Sequence, residues 1–164
     1  MEGSPSTLEL ATRLGGLLTE RSWTLAVAES CTGGMLGSAI TDVPGSSRYF
    51  LGGVISYADR VKLEQLGVTA ETLASHGAVS SQTAEAMASG VRRLLHSDLA
   101  VSITGVAGPG AEGSKPVGLT YIGIAVEGRA SAHRYQWSGG RLENRKASVI
   151  AALKLALEAA SAMS

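Results

Sequence analysis

The chain has 164 residues, 45% of them hydrophobic, and its 14 Lys+Arg balance 14 Asp+Glu. That length fits one domain, residues 1–164 with an ordered core over about 6–160, and the apolar content argues against disorder. Zero net charge disfavours nucleic-acid binding through overall charge, although a local basic pocket stays open. A single cysteine, Cys31, rules out an internal disulfide, and neither a signal-peptide pattern nor a run of roughly 18 apolar residues is present. A soluble, cytoplasmic chain with no membrane partner is the expectation.

In chain order, Leu8, Leu10, Leu14, Leu17 and Leu18 recur at helical spacing up to about Glu20. Trp23 to Ala28 reads as a short strand that ends at Glu29-Ser30-Cys31-Thr32-Gly33-Gly34. Met35, Leu36, Ala39 and Ile40 then predict a helix, which Asp42 to Ser47 breaks. A second strand is expected over Phe50 to Ser56. Asp59 is placed to cap a helix reaching Leu66, Thr69 to cap one ending near Gly77, and Ser80 to start a stronger helix carrying Met87 and Val91. Leu99 to Thr104 is a third strand, and Gly105 to Pro116 a long Gly/Pro loop. Gly118 to Glu127 and Ala130 to Trp137 predict a hairpin about Gly128, and a closing helix runs from about Arg141 to Ala160. Strands alternating with helices before a late hairpin predict a three-layer α/β/α sandwich with a mixed, mostly parallel sheet.

Four segments have the residue types for chemistry. Glu29 to Gly34 lies where a strand meets a helix, so its amides and the Ser30 and Thr32 hydroxyls suit an anion that Gly33 and Gly34 let approach. An ordinary cap and glycine turn explains that segment equally well. Ser46 and Ser47, with Tyr57 and Lys62 downstream, supply a hydroxyl nucleophile and a base if the lysine is partly desolvated. A Gly-Ser turn and a solvated lysine are the plainer account. Thr104 to Gly110 is a glycine-rich loop at a strand's carboxyl end, the usual ligand position in open α/β sheets. Gly105 and Gly108 there could free main-chain N–H groups to hold an oxyanion or phosphate; a mobile surface loop is the alternative account. Arg141 and Arg145 are one turn apart at a helix start, where cations oppose the macrodipole unless an anion binds. A solvated face accounts for that pair as readily. His76, His96 and His133 lack metal-ligand spacing, so no metal or other cofactor is expected. Cys31, near a helix start, has a position that can depress a thiol pKa, but no histidine is evidently paired with it, and a structural role is favoured.

Taken together, AESCTGG, PGSSRYFLGGVISY, the Tyr57-to-Lys62 interval, HGAVS, GVAGPG and KPVG resemble the CinA C-terminal domain, or nicotinamide-nucleotide amidase, family from about Leu8 to Ala160. The chain looks like the stand-alone form, without the molybdopterin-binding-like domain that precedes it in two-domain members. The resemblance implies hydrolysis of nicotinamide mononucleotide to nicotinic acid mononucleotide and ammonia in pyridine-nucleotide salvage. It implies Ser47 as nucleophile, Lys62 as base and Tyr57 assisting, with Ser30 and Thr104 orienting the carboxamide, Thr32 nearby, and Arg145 on the phosphate beside Arg141. The roles of Ser47 and Ser30 are exchangeable at this point. Ala111-Glu112 and Gly140 depart from the family pattern and bear on loop geometry and affinity. By analogy alone a homo-oligomer is expected. The competing reading is a non-catalytic accessory domain linked to competence or DNA-damage response.

Overall fold

The computed structural model describes residues 3–162. Helix α1, Thr7–Arg21, opens with a capping box in which Ser6 Oγ accepts from Glu9 N and Glu9 accepts from Ser6 N. Its leucine stripe buries Leu10, Leu14 and Leu18, whereas Leu8 faces outward and stays exposed. Strand β1, Leu25–Glu29, leads through a glycine turn into α2, Met35–Thr41. A 3-10 turn, Ser46–Arg48, precedes β2, Phe50–Ile55. Next come α3, Asp59–Leu66, α4, Ala70–His76, and α5, Ser81–Leu95; Thr69 and Ser80 cap the latter two as expected. Asp59 does not cap α3: Ala58 takes that position in extended geometry, and Asp59 is the first helical residue, where its charge suits the helix dipole. Strand β3, Leu99–Gly105, the hairpin β4, Leu119–Val126, with β5, Arg129–Gln136, and α6, Arg141–Ala162, complete the chain.

The sheet order is β2-β1-β3-β4-β5. Strands β2 and β3 run parallel to β1, β4 is antiparallel to β3, and β5 is antiparallel to β4. The sheet is thus mixed, with β4 alone reversed. Leu25, Val27, Leu99, Val101, Ile122 and Ile124 pack against α1, α2 and α6 on one face. On the other, Ala26, Ala28, Ala100 and Ala125 admit Met87, Ala88 and Val91 of α5 and Leu66 of α3. The small strand residues let α5 and α3 come close to the sheet and to each other. At Gly90 the approach is tightest, since a Cβ there would lie 1.9 Å from Leu66 O. Among the described residues no helix is long and apolar enough to cross a membrane.

The parallel strands β1 and β3 end at the same side of the sheet. Between β3 and β4 the chain makes a long excursion, tied by paired main-chain bonds between Glu112 and Lys115. Asn144 of α6 holds that excursion's root through Nδ2 donating to Ala107 O at 3.0 Å. The excursion, the turn after β1 and the start of α6 therefore converge.

Candidate active site

Ser30 is the first residue past β1. Its N–H donates to Ile103 O at 3.0 Å, and Ser56 N donates to Glu29 O at 2.7 Å, so both neighbouring strands hold this strand end. The parallel register pairs Glu29 with Ile55 and Ile103, which sets Ser30 beside Ser56. Helix α3 then brings Lys62 back beneath the strand ends, with only 1% of the residue exposed. Its Nζ lies 3.1 Å from Ser30 Oγ, 2.6 Å from Ser56 O and 3.3 Å from Tyr57 O.

Burial lowers the Lys62 pKa from its ordinary value, while Asp59, Glu112 and Cys31 pull it partly back. The Asp59 carboxylate is 3.9 Å away and largely exposed, so water screens its attraction. Desolvation is therefore the stronger influence. As an ammonium, Nζ donates to all three oxygens. Once it is neutral, its two hydrogens can stay on the Ser56 and Tyr57 carbonyls while its lone pair accepts the Ser30 O–H. That is the arrangement of a nucleophile with its base.

The expected pairing of Ser47 with Lys62 does not form. Ser47 lies in the 3-10 turn before β2, exposed, and Lys62 follows β2. A strand of six residues separates them, and at about 3.3 Å per residue it spans roughly 20 Å. The lysine takes Ser30 because Ser30 and Ser56 share the carboxyl end of adjacent parallel strands.

A cavity of about 280 Å³ opens over Ser30 and Lys62. Of the expected site residues, Ser30, Tyr57, Lys62, Thr104, Gly105, Gly108 and Arg141 line it. Thr104 Oγ1 donates to Ala78 O at 2.8 Å, so its hydroxyl buttresses the wall. Arg141 Nη1 donates to Gly108 O, and its Nη2 donates to Tyr57 Oη at 3.3 Å. The expected phosphate ligand, Arg145, is not in this lining: its Nε donates to Cys31 O at 3.0 Å and its Nη2 to Thr32 O at 3.1 Å. One turn of α6 separates a guanidinium facing the cavity from one that grips the main chain. Thr32, Gly33 and Gly34 also lie behind the cavity, where Thr32 Oγ1 donates to Glu29 at 2.7 Å.

Cys31 is at the cavity wall, but burial pushes its thiol up to about 11. The thiol is therefore protonated and inert at neutral pH, not depressed by the helix start. Its main-chain N–H, by contrast, has no hydrogen-bond partner in another described residue. Residues that sequence reasoning did not place at the site are Asp59 on the cavity rim, Ala78 and Val79 on its wall, and Asn144 behind it; Glu112, singled out only as a departure from the family pattern, is on the rim as well. The HGAVS segment and the position three residues past Arg141 were the available signals. Among the described residues, no group of three or more His, Cys, Asp or Glu is placed to hold a metal.

The model of the CinA C-terminal domain family matches residues 7–160, and the chain belongs to that family. A protein of Halothermothrix orenii named putative competence-damage inducible protein is 50% identical over 138 residues, 83% of this chain and 33% of that protein. A CinA-like protein of Synechococcus is 60% identical over 117 residues, 71% of this chain and 28% of that one. The chain thus spans about a third of the length of these curated relatives. The crystal structure of the competence/damage inducible protein CihA from Agrobacterium tumefaciens matches with a TM-score of 0.90 at 38% identity, covering 98% of this chain and 99% of that one. A CinA superfamily protein from Klebsiella pneumoniae matches with a TM-score of 0.92 at 34% identity, over 96% and 99% of the two chains.

Proposed function

We propose that the chain hydrolyses the carboxamide of nicotinamide mononucleotide, giving nicotinic acid mononucleotide and ammonia. The observation that carries the amidase reading is the buried 3.1 Å contact between Lys62 Nζ and Ser30 Oγ. The choice of substrate rests on the motif resemblance and on a guanidinium at the cavity. Ser30 Oγ attacks the carboxamide carbon while Lys62 Nζ takes its proton. The tetrahedral oxyanion is held by the Cys31 N–H, one residue past the nucleophile. Lys62 returns the proton to the amide nitrogen, the C–N bond breaks, and ammonia leaves an acyl ester on Ser30. Water, deprotonated by Lys62, cleaves that ester and frees the acid and the serine. Tyr57 and Arg141 meet across the cavity mouth, so Arg141, not Arg145, is the guanidinium for the phosphate, with the loop at Ala107 and Gly108 beside it.

Ammonia release decides this reading. The purified chain turns over nicotinamide mononucleotide, acts far more slowly on free nicotinamide, and keeps its rate with a chelator present, because Ser30 and Lys62 supply nucleophile and base. Equal rates on the two amides would remove Arg141 from the substrate model. No ammonia from either would favour the competing reading of a non-catalytic accessory domain; several relatives are named putative competence-damage inducible protein.

A further inference from the structure

The reaction leaves one buried charged side chain at the site without a role. Glu29, the last residue of β1, is 1% exposed and immediately precedes Ser30. Its Oε1 accepts from Thr32 Oγ1 at 2.7 Å and from Leu36 N at 2.9 Å, and its Oε2 accepts from Gly37 N at 3.0 Å. Leu36 and Gly37 open α2, whose N-cap is Gly34 and has no side chain to satisfy them. A buried amide with no partner is costly, so something must take its place. Glu29 does so from across the turn.

The segment it spans is intrinsically soft. Gly33 and Gly34 both adopt left-handed conformations, at φ 57° and 105°, and glycine resists neither these nor their alternatives. Ser30 and the Cys31 N–H therefore gain their placement from outside the turn. Two clamps supply it: Arg145 holds the Cys31 and Thr32 carbonyls on one side, and Glu29 holds Thr32 and the α2 amides on the other.

We propose that Glu29 is a positioning residue for the amidase reaction, its carboxylate locking the Thr32–Gly37 segment so that Ser30 Oγ and the Cys31 N–H keep reactive geometry. This rests on the amidase reading, and the test separates the two. In Glu29→Gln the amide oxygen retains two of the three acceptor contacts, while its NH₂ meets a main-chain donor head-on. In Glu29→Ala all three are lost. Each variant and the wild type are assayed on nicotinamide mononucleotide for kcat and KM, and for the rate at which a fluorophosphonate labels Ser30, read by intact mass. Labelling reports serine reactivity whatever the natural substrate is.

The expected result is a roughly tenfold fall in kcat for Glu29→Gln, the equivalent of one lost hydrogen bond. Glu29→Ala falls by about 10²-fold, as a misplacement of order 1 Å can produce. KM moves less than about threefold, and labelling slows in step with kcat, measured on protein whose thermal transition shows it folded. If Glu29→Ala does not fold, Glu29→Gln alone decides. Unchanged kcat and labelling with only a lower Tm would make Glu29 a plain helix cap and overturn the proposal. A wild type that is labelled at Ser30 but releases no ammonia rejects the substrate, and labelling of the variants still decides Glu29. A wild type with neither property overturns both.

Discussion

Replacing each serine in turn puts the nucleophile to the test. Ser30 Oγ has one side-chain partner, Lys62 Nζ at 3.1 Å, so Ser30→Ala removes the attacking atom while breaking a single hydrogen bond. The stability cost is about 1 kcal/mol. The kinetic cost is of another order: losing the nucleophile of a two-residue unit lowers kcat by about 10⁴- to 10⁶-fold, or about 5–8 kcal/mol at 1.36 kcal/mol per tenfold. Ser47 is exposed in the turn before β2 and its hydroxyl has no hydrogen bond within the described residues. Ser47→Ala should change stability by no more than about 0.5 kcal/mol and leave kcat near wild type. Lys62→Met should match Ser30→Ala, and the double variant should lose little more, because the two act together. Ammonia release from nicotinamide mononucleotide, with Tm recorded for every variant, measures both effects. A folded Ser30→Ala enzyme within tenfold of wild type, or an inactive Ser47→Ala, would refute the assignment.

Three further outcomes follow from the same geometry. Arg141→Ala should raise KM by about 1.5–3 kcal/mol, the value of a charged hydrogen bond, with kcat little changed; Arg145→Ala should instead lower kcat and Tm, because its donors hold the Cys31 and Thr32 carbonyls. The reverse split in steady-state kinetics would return the phosphate to Arg145. With the Lys62 pKa lowered, kcat should rise with pH through that lowered value as the base becomes neutral. The unfolded chain also binds more protons than the folded one between that value and the ordinary 10.5, so wild-type stability relative to Lys62→Met should climb with pH across that interval; a flat difference in denaturant titrations would mean that Lys62 is not depressed. Gly90→Ala, with its Cβ driven against Leu66 O, should cost about 3 kcal/mol or more, and an unchanged midpoint in urea would show that α3 and α5 can part freely.

The layered fold was legible because its elements carry their own local signals. Thr69 and Ser80 cap the helices they precede, and Gly128 marks the two-residue loop between β4 and β5. What local signals omit is which strand lies beside which. The order β2-β1-β3 is a property of the whole sheet, and it alone makes Ser56 and Ile103 the neighbours of Ser30. Leu8 and Asp59 show the same limit at smaller scale, since spacing indicates a face or a cap without saying whether the core or another residue already occupies it.

That Ser47 and Lys62 do not meet, however, was legible from the expected elements alone. A strand over Phe50 to Ser56 places Ser47 before its start and Tyr57 and Lys62 beyond its end. No strand of that length lets residues at its two ends share a proton. The hydroxyl that pairs with Lys62 must instead lie at the carboxyl end of a strand parallel to β2, because in an open α/β sheet those ends open on one crevice. Ser30 after β1 and Thr104 at the end of β3 both meet that condition, and the sheet order together with the Thr104 bond to Ala78 O leaves Ser30 to Lys62. The same geometry sorts the arginines: a helix of 3.6 residues per turn turns positions four apart only about 40° from one another, so Arg141 and Arg145 share a face, and their height on α6 separates them. Arg141, at the helix start, reaches Gly108 and Tyr57, and Arg145, a turn deeper, reaches the Cys31 and Thr32 carbonyls just past Ser30. Cavity lining and support of the turn thus fall to one helix face, divided by a single turn of rise.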